Sequence, residues 1–130
     1  MAQGEDDLKT ILIVDDDVEV RTMMWRTLRS AGFKVLQAAD GLIALSIATR
    51  KIPDLIISDV MMDNLNGFML CDLLRKEPRT ANIPIFLITG EAQRAGAWQS
   101  EMNVKYFQKP VAVRDLLAAV DQELASAPPQ

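Results

Sequence analysis

The sequence predicts one doubly wound α/β domain, a five-stranded parallel sheet with helices on both faces. Three observations predict it. Strand-like and helical segments alternate five times along 130 residues, a length that suits a single domain. The first, third and fourth strand-like segments are nearly continuous runs of Ile, Leu and Val, as strands covered on both faces are. The helical segments carry apolar residues on one stripe, as helices laid against a sheet do.

The elements follow in order. Residues 11–14 form the first strand, and Val20, Met24, Leu28 and Ala31 then recur at helical spacing until Gly32 stops the helix. Trp25 and the pair Met23-Met24 fall on core or half-buried positions of that helix. Residues 34–38 form the second strand, and a helix over 42–50 ends before Pro53. The third strand covers 54–58. Its helix carries the stripe Leu70, Leu73 and Leu74, with Asp72 four residues before Lys76 as a favourable ion pair and Cys71 as a small buried residue. The fourth strand covers 83–89, and residues 91–100, despite Gly96, form the fourth helix. Residues 104–107 form the fifth strand, and Val113, Leu116, Leu117, Val120 and Leu124 mark the last helix. A polar N-terminal extension, 1–9, precedes the domain at 10–125, and 126–130 cannot continue a helix and reads as a tail or linker stub.

Composition narrows the chemistry. The formal charge is −4, with one cysteine and no histidine. Without histidine, Ser-His-Asp and Cys-His catalysis, His-ligated zinc and a histidine general base are excluded. A lone Cys71 excludes an internal disulfide and a cysteine-held metal cluster. Scattered Lys and Arg in an acidic chain do not suit a nucleic-acid surface, which needs clustered cations. The first nine residues are unlike a signal peptide, and no apolar run approaches a membrane span. The expected setting is therefore cytoplasmic, without membrane or direct nucleic-acid contact. Carboxylates, lysines and hydroxyls must carry the chemistry.

In a doubly wound sheet, ligands bind beyond the carboxyl ends of the strands. Here the first strand runs into Asp15-Asp16-Asp17, the third into Ser58-Asp59, the fourth into Thr89-Gly90 and the fifth into Gln108-Lys109-Pro110. Singly, each has an ordinary explanation: Asp17 is a helix cap, an aspartate at a strand end is a turn residue, and Thr-Gly or Lys-Pro is loop chemistry. Their joint placement at four strand ends carries the functional reading. Converging carboxylates repel one another unless a cation sits among them, and an all-oxygen set favours Mg²⁺. A carboxylate beside Mg²⁺ can attack phosphorus and form an acyl phosphate. Lys109 could then neutralise phosphoryl oxygens, Thr89 could bond one, and Gly90 leaves room for the group.

In this order the residues resemble the receiver domain of two-component response regulators, the family that includes the bacterial chemotaxis regulator. The resemblance spans about Lys9 to Leu124. It rests on Ile11-Leu12-Ile13-Val14-Asp15-Asp16-Asp17, Pro53-Asp54-Leu55-Ile56-Ile57-Ser58-Asp59, Leu87-Ile88-Thr89-Gly90 and Tyr106-Phe107-Gln108-Lys109-Pro110. It implies the strand order 2-1-3-4-5 of the flavodoxin-like fold. It implies Asp59 as phosphoacceptor, and Mg²⁺ held by Asp15, Asp16, Asp59 and the backbone carbonyl of Met61. Lys109 becomes the phosphate partner, followed by a cis bond to Pro110. Thr89 becomes the switch hydroxyl, and Tyr106 the aromatic that turns inward when Thr89 moves. The implied donor is the phosphohistidine of a partner histidine kinase or phosphotransfer protein, which places the missing histidine on the donor. The phosphoryl group so carried would bear up to about two negative charges. The surface of the fourth helix, fifth strand and last helix would then change its preference for a downstream effector protein or an output domain beyond Gln130. Such a protein is a switch that modifies only itself, not an enzyme turning over external substrates.

Three departures from the family pattern stand out. Met62-Asp63-Asn64-Leu65-Asn66-Gly67 replaces the usual Met-Pro-x-x-Asp-Gly, so the loop loses proline's φ restriction and is expected to be more mobile. The Met61 thioether is expected to shield the phosphoryl group and slow its hydrolysis. The stretch from Thr89 to Lys109 is shorter than usual, with Glu101-Met102-Asn103 in place of a Gly-Ala turn. The output partner and any homodimer therefore cannot be borrowed from relatives, and Trp98 nearby either anchors an interface or packs, with packing the favoured reading. Two other functions compete: a receiver-like protein-binding module acting without phosphorylation, and a Mg²⁺-dependent phosphatase using Asp15-x-Asp17. Against the last, Glu19 departs from the haloacid-dehalogenase-like motif, and the chain is too short for that fold and its cap.

Overall fold

The computed structural model describes residues 8–62, 64–90 and 103–125. Five strands form one sheet: β1 (Thr10–Val14), β2 (Lys34–Ala38), β3 (Leu55–Asp59), β4 (Ile85–Thr89) and β5 (Val104–Gln108). Their order is β2-β1-β3-β4-β5, with every neighbouring pair parallel. Side chains alternate between the faces of a strand, so each apolar run feeds two cores. Leu12, Val14, Ile56, Ile85 and Leu87 point into one layer. Ile11, Ile13, Leu55, Ile57, Phe86 and Ile88 point into the other. That is why these strands read as unbroken apolar runs.

Four helices among the described residues cover the faces: α1 (Val18–Ser30), α2 (Gly41–Lys51), α3 (Gly67–Lys76) and α4 (Val113–Ala125), the last being the fifth predicted helix. Helices α2 and α3 supply Ala44, Ala48, Leu70, Cys71 and Leu74 to the first core. Helices α1 and α4 supply Met24, Leu28, Leu116 and Val120 to the second. Asp17, Asp40 and Asn66 cap α1, α2 and α3, each accepting backbone N–H groups at the start of its helix. The predicted Asp72–Lys76 pair forms at 3.4 Å.

The structure corrects several positions. Met23 is 49% exposed beside buried Met24, because consecutive helical residues point about 100° apart. Leu73 leaves the α3 stripe for the same reason, and Cys71 takes its place against the core. Ala31 is the exposed C-cap of α1 rather than part of its buried stripe. β4 begins at Ile85, not residue 83, because Thr80 and Ile83 close a turn and Pro84 offers only its carbonyl, which accepts from Ile56 N–H. Asp54 sits just before β3 and binds the start of β1, its carboxylate accepting from Thr10 N–H at 2.7 Å. The fourth predicted helix, Trp98, Asp63 and Glu101-Met102 lie outside the described residues, as do residues 1–7 and 126–130.

Candidate functional site

The parallel sheet delivers the carboxyl ends of its strands to one edge, and the predicted residues meet there. Asp15 follows β1, its N–H continuing the ladder to Ala38 O at 3.1 Å. Its Oδ1 accepts from Asp17 N–H at 2.9 Å, which turns the chain into α1 and leaves Asp16 exposed between them. Asp59 ends β3, and Val60 N–H beyond it donates to Ile88 O at 3.0 Å. Asp15 and Asp59 are each only 5% exposed. Carboxylate oxygens of Asp15, Asp16 and Asp59 all lie within 4.8 Å of one another. Lys109 arrives from the end of β5, held by its N–H to Thr89 O at 2.8 Å and followed by a cis bond to Pro110. Its Nζ stands 3.1 Å from Asp59 Oδ1. Thr89 is buried at the end of β4, and Tyr106 is half-buried on β5, packed against the α2–α3 core. Among the described residues, nothing lies within 4 Å of where a Cβ of Gly90 would stand.

Charge is unbalanced within this cluster. Burial pushes the Asp15 carboxyl above its ordinary value, and the charges of Asp59 and Asp16 push the same way. The Asp17 N–H and Lys109 oppose them without cancelling them. Burial alone would lower Lys109, but the pair with Asp59 and the charges of Asp15 and Asp16 outweigh it, so its ammonium is held above the ordinary lysine value. Three carboxylates against one ammonium form an all-oxygen donor set with negative charge in excess. That set fits a hard divalent cation. A soft-metal site would need thiolate or imidazole, and Cys71 is buried away in the α2–α3 core.

The sequence model of the response regulator receiver domain matches residues 11–121. The chain belongs to that family.

Among its curated relatives is the DNA-binding dual master transcriptional regulator RpaA of Synechocystis, 36% identical over 113 residues, which are 85% of this chain and 46% of RpaA. The phosphate regulon transcriptional regulatory protein PhoB of Pseudomonas aeruginosa is 32% identical over 93% of this chain and 54% of its own length. This receiver domain thus spans about half the length of these relatives. In structure it is similar to the chemotaxis response regulator CheY4 of Vibrio cholerae, with a TM-score of 0.83 and 30% identity, covering 89% of this chain and 98% of that one. Receiver domains are signalling switches that generally use Mg²⁺ and partner with histidine kinases and output domains. Among the described residues no helix is long and apolar enough to cross a membrane.

Some features of this receiver domain were not readable in advance. Arg21 donates to the Asp15 carbonyl at 2.6 Å, fixing the backbone of a buried carboxylate from one turn into α1. The loop after Asp59, expected to loosen without its proline, is pinned in its described part. Asn64 has φ +68 and donates from Nδ2 to Asp40 Oδ2 at 3.1 Å. Leu65 is buried against Gly41, Asn66 accepts from Met69 N–H, and Gly67 N–H donates to Val60 O at 3.0 Å. The signal was present in Asp40-Gly41 at the end of β2, but a helix cap explains that pair completely until the loop is seen against it. Met61 projects its side chain outward, 64% exposed.

Proposed function

We propose that this receiver domain takes a phosphoryl group onto Asp59 from the phosphohistidine of a partner kinase or phosphotransfer protein. The observation that carries this is a buried aspartate at the end of the central strand. It has two further carboxylates within 4.8 Å and an ammonium at 3.1 Å. A carboxylate oxygen of Asp59 attacks phosphorus, the P–O bond forms as the P–N bond to imidazole breaks, and the imidazole stays with the donor. Asp15, Asp16, Asp59 and the Met61 carbonyl would hold Mg²⁺, which supplies charge neutralisation for the phosphoryl oxygens. Lys109 already faces the acceptor and balances charge there without moving far.

The switch follows from the added charge. Asp59 would exchange its one carboxylate charge for the nearly two of a phosphoryl group, a net gain of about one in a buried place, and the hydroxyl of Thr89, buried at the end of the adjacent strand, would be the donor that answers it. Movement of Thr89 would let Tyr106 on β5 turn inward, and the β5–α4 side would change its preference for partners. A downstream effector or output domain then reads that surface, a two-state element biased by local charge.

Incubation with Mg²⁺ and a small acyl-phosphate or phosphoramidate donor, followed by intact mass measurement, tests this. One phosphoryl group should be gained, and the gain should vanish in Asp59→Asn and in EDTA. If no donor, a histidine kinase included, gives an adduct, the domain works by protein contact alone.

A further inference from the structure

Resting on the reading of Asp59 and the Met61 carbonyl as Mg²⁺ ligands, we infer that Asp40, Gly41 and Asn64 are positioning residues for that site. None of the three belongs to the carboxylate cluster. They act on the loop that leaves it. Asp40 divides its two oxygens between two structures: Oδ1 accepts from Ile43 N–H at 2.9 Å and caps α2, while Oδ2 accepts from Asn64 Nδ2 at 3.1 Å. One side chain thereby ties a helix start to the loop.

A second contact holds the same place without any side-chain hydrogen bond. A Cβ added at Gly41 would collide with the Leu65 carbonyl oxygen and stand 2.7 Å from the Leu65 Cβ. Only glycine lets the loop backbone lie this close to α2. At its far end the loop closes on β3, with Gly67 N–H on Val60 O at 3.0 Å and no room for a Cβ at Gly67, which would stand 2.7 Å from Asp59 O. Met61 lies between these two anchors. Its carbonyl direction would therefore answer to α2 on one side and to β3 on the other. Asn64 stands at φ +68, a region that asparagine tolerates better than most residues. Tertiary contacts thus do here what a proline's fixed φ does in the usual family loop.

Calorimetric Mg²⁺ titration tests the inference, with amide exchange measured on metal-free protein as a second readout. Asn64→Gly keeps the net charge and the positive φ but removes the bond. Asp40→Asn keeps the capping Oδ1 while setting an amide donor against the Asn64 donor. Gly41→Ala is the better helix former but drives a methyl group into the loop. Each variant should bind Mg²⁺ roughly threefold to tenfold more weakly, the scale of one net hydrogen bond. Each should also speed exchange of the Gly67 amide. The exchange-of-partners variant Asp40→Asn/Asn64→Asp again faces a donor with an acceptor and should recover most of the affinity. Variants that melt earlier yet keep both the affinity and the Gly67 exchange rate would reduce the trio to a capping role and overturn the inference. A swap that recovers nothing would do the same. If the unmodified protein takes neither Mg²⁺ nor a phosphoryl group, the underlying reading fails, and this one with it.

Discussion

Asp15 lies at the end of a buried strand, with two other carboxylates within 4.8 Å and the charge of the Lys109 ammonium acting on it. Its carboxyl is held above the ordinary value of 3.8, chiefly by burial. The sign of the resulting pH dependence follows from linkage. A raised carboxyl pKa means that the folded chain binds the proton more tightly than the unfolded chain. The stability so gained is complete below the ordinary value and is lost as pH rises through the raised one. At neutral pH without metal, the Asp15 carboxylate therefore works against folding. Asp15→Asn keeps an Oδ1 for the Asp17 N–H and should melt higher than the unaltered protein at pH 7 in EDTA. The advantage should disappear in melts below pH 3.8. With Mg²⁺ present the order should reverse, because the variant has lost a ligand. At this scale Asp15, Asp16, Asp59, Thr89 and Lys109 were legible because each stands directly at a strand end. Arg21 and Asn64 were not, since what they do depends on a carbonyl and a carboxylate that only the fold brings near.

Each helix that starts at the site edge after β1, β2 or β3 begins with a side-chain oxygen accepting backbone N–H groups. For α1 that residue is Asp17, with Glu19 N–H at 2.9 Å and Val20 N–H at 3.3 Å. Asp17→Ala should cost about 1 kcal/mol and lower the melting midpoint by about 4 °C. The Asp17 N–H that steadies Asp15 belongs to the backbone and survives, so calorimetric Mg²⁺ affinity should change little. A large loss of affinity would mean that Asp17 is a ligand as well as a cap. Element identities were legible from period and apolar runs. Boundaries shifted where a turn competed, as at Thr80–Pro84. Burial within the amphipathic helices shifted where one of two adjacent apolar residues turned away from the core, so Met24 and Leu74 are buried while Met23 and Leu73 are exposed.

The whole molecule couples the site to its stability by mass action. A cation that binds the folded chain alone adds about 2.7 kcal/mol at one hundred times its dissociation constant, which is about 10 °C in a domain of this size. MgCl₂ should raise the melting midpoint accordingly, and EDTA should return it; an unchanged midpoint would mean that the carboxylates do not hold the ion. The sequence by itself determined the sheet class, the two apolar cores and the edge at which function lies, because strand period, continuous burial and strand-end chemistry are local or additive properties of the chain. The strand-order likeness and the roles of the carboxylates were legible through motif order. Only the tertiary structure decided how closely those carboxylates approach, what pairs with Asp59, and which contacts the described part of the loop after it makes with α2 and β3. Those outcomes depend on distances between segments far apart in sequence, such as Asp40 and Asn64 or Asp59 and Lys109. No local pattern encodes a 3.1 Å contact across 24 or 50 residues of chain.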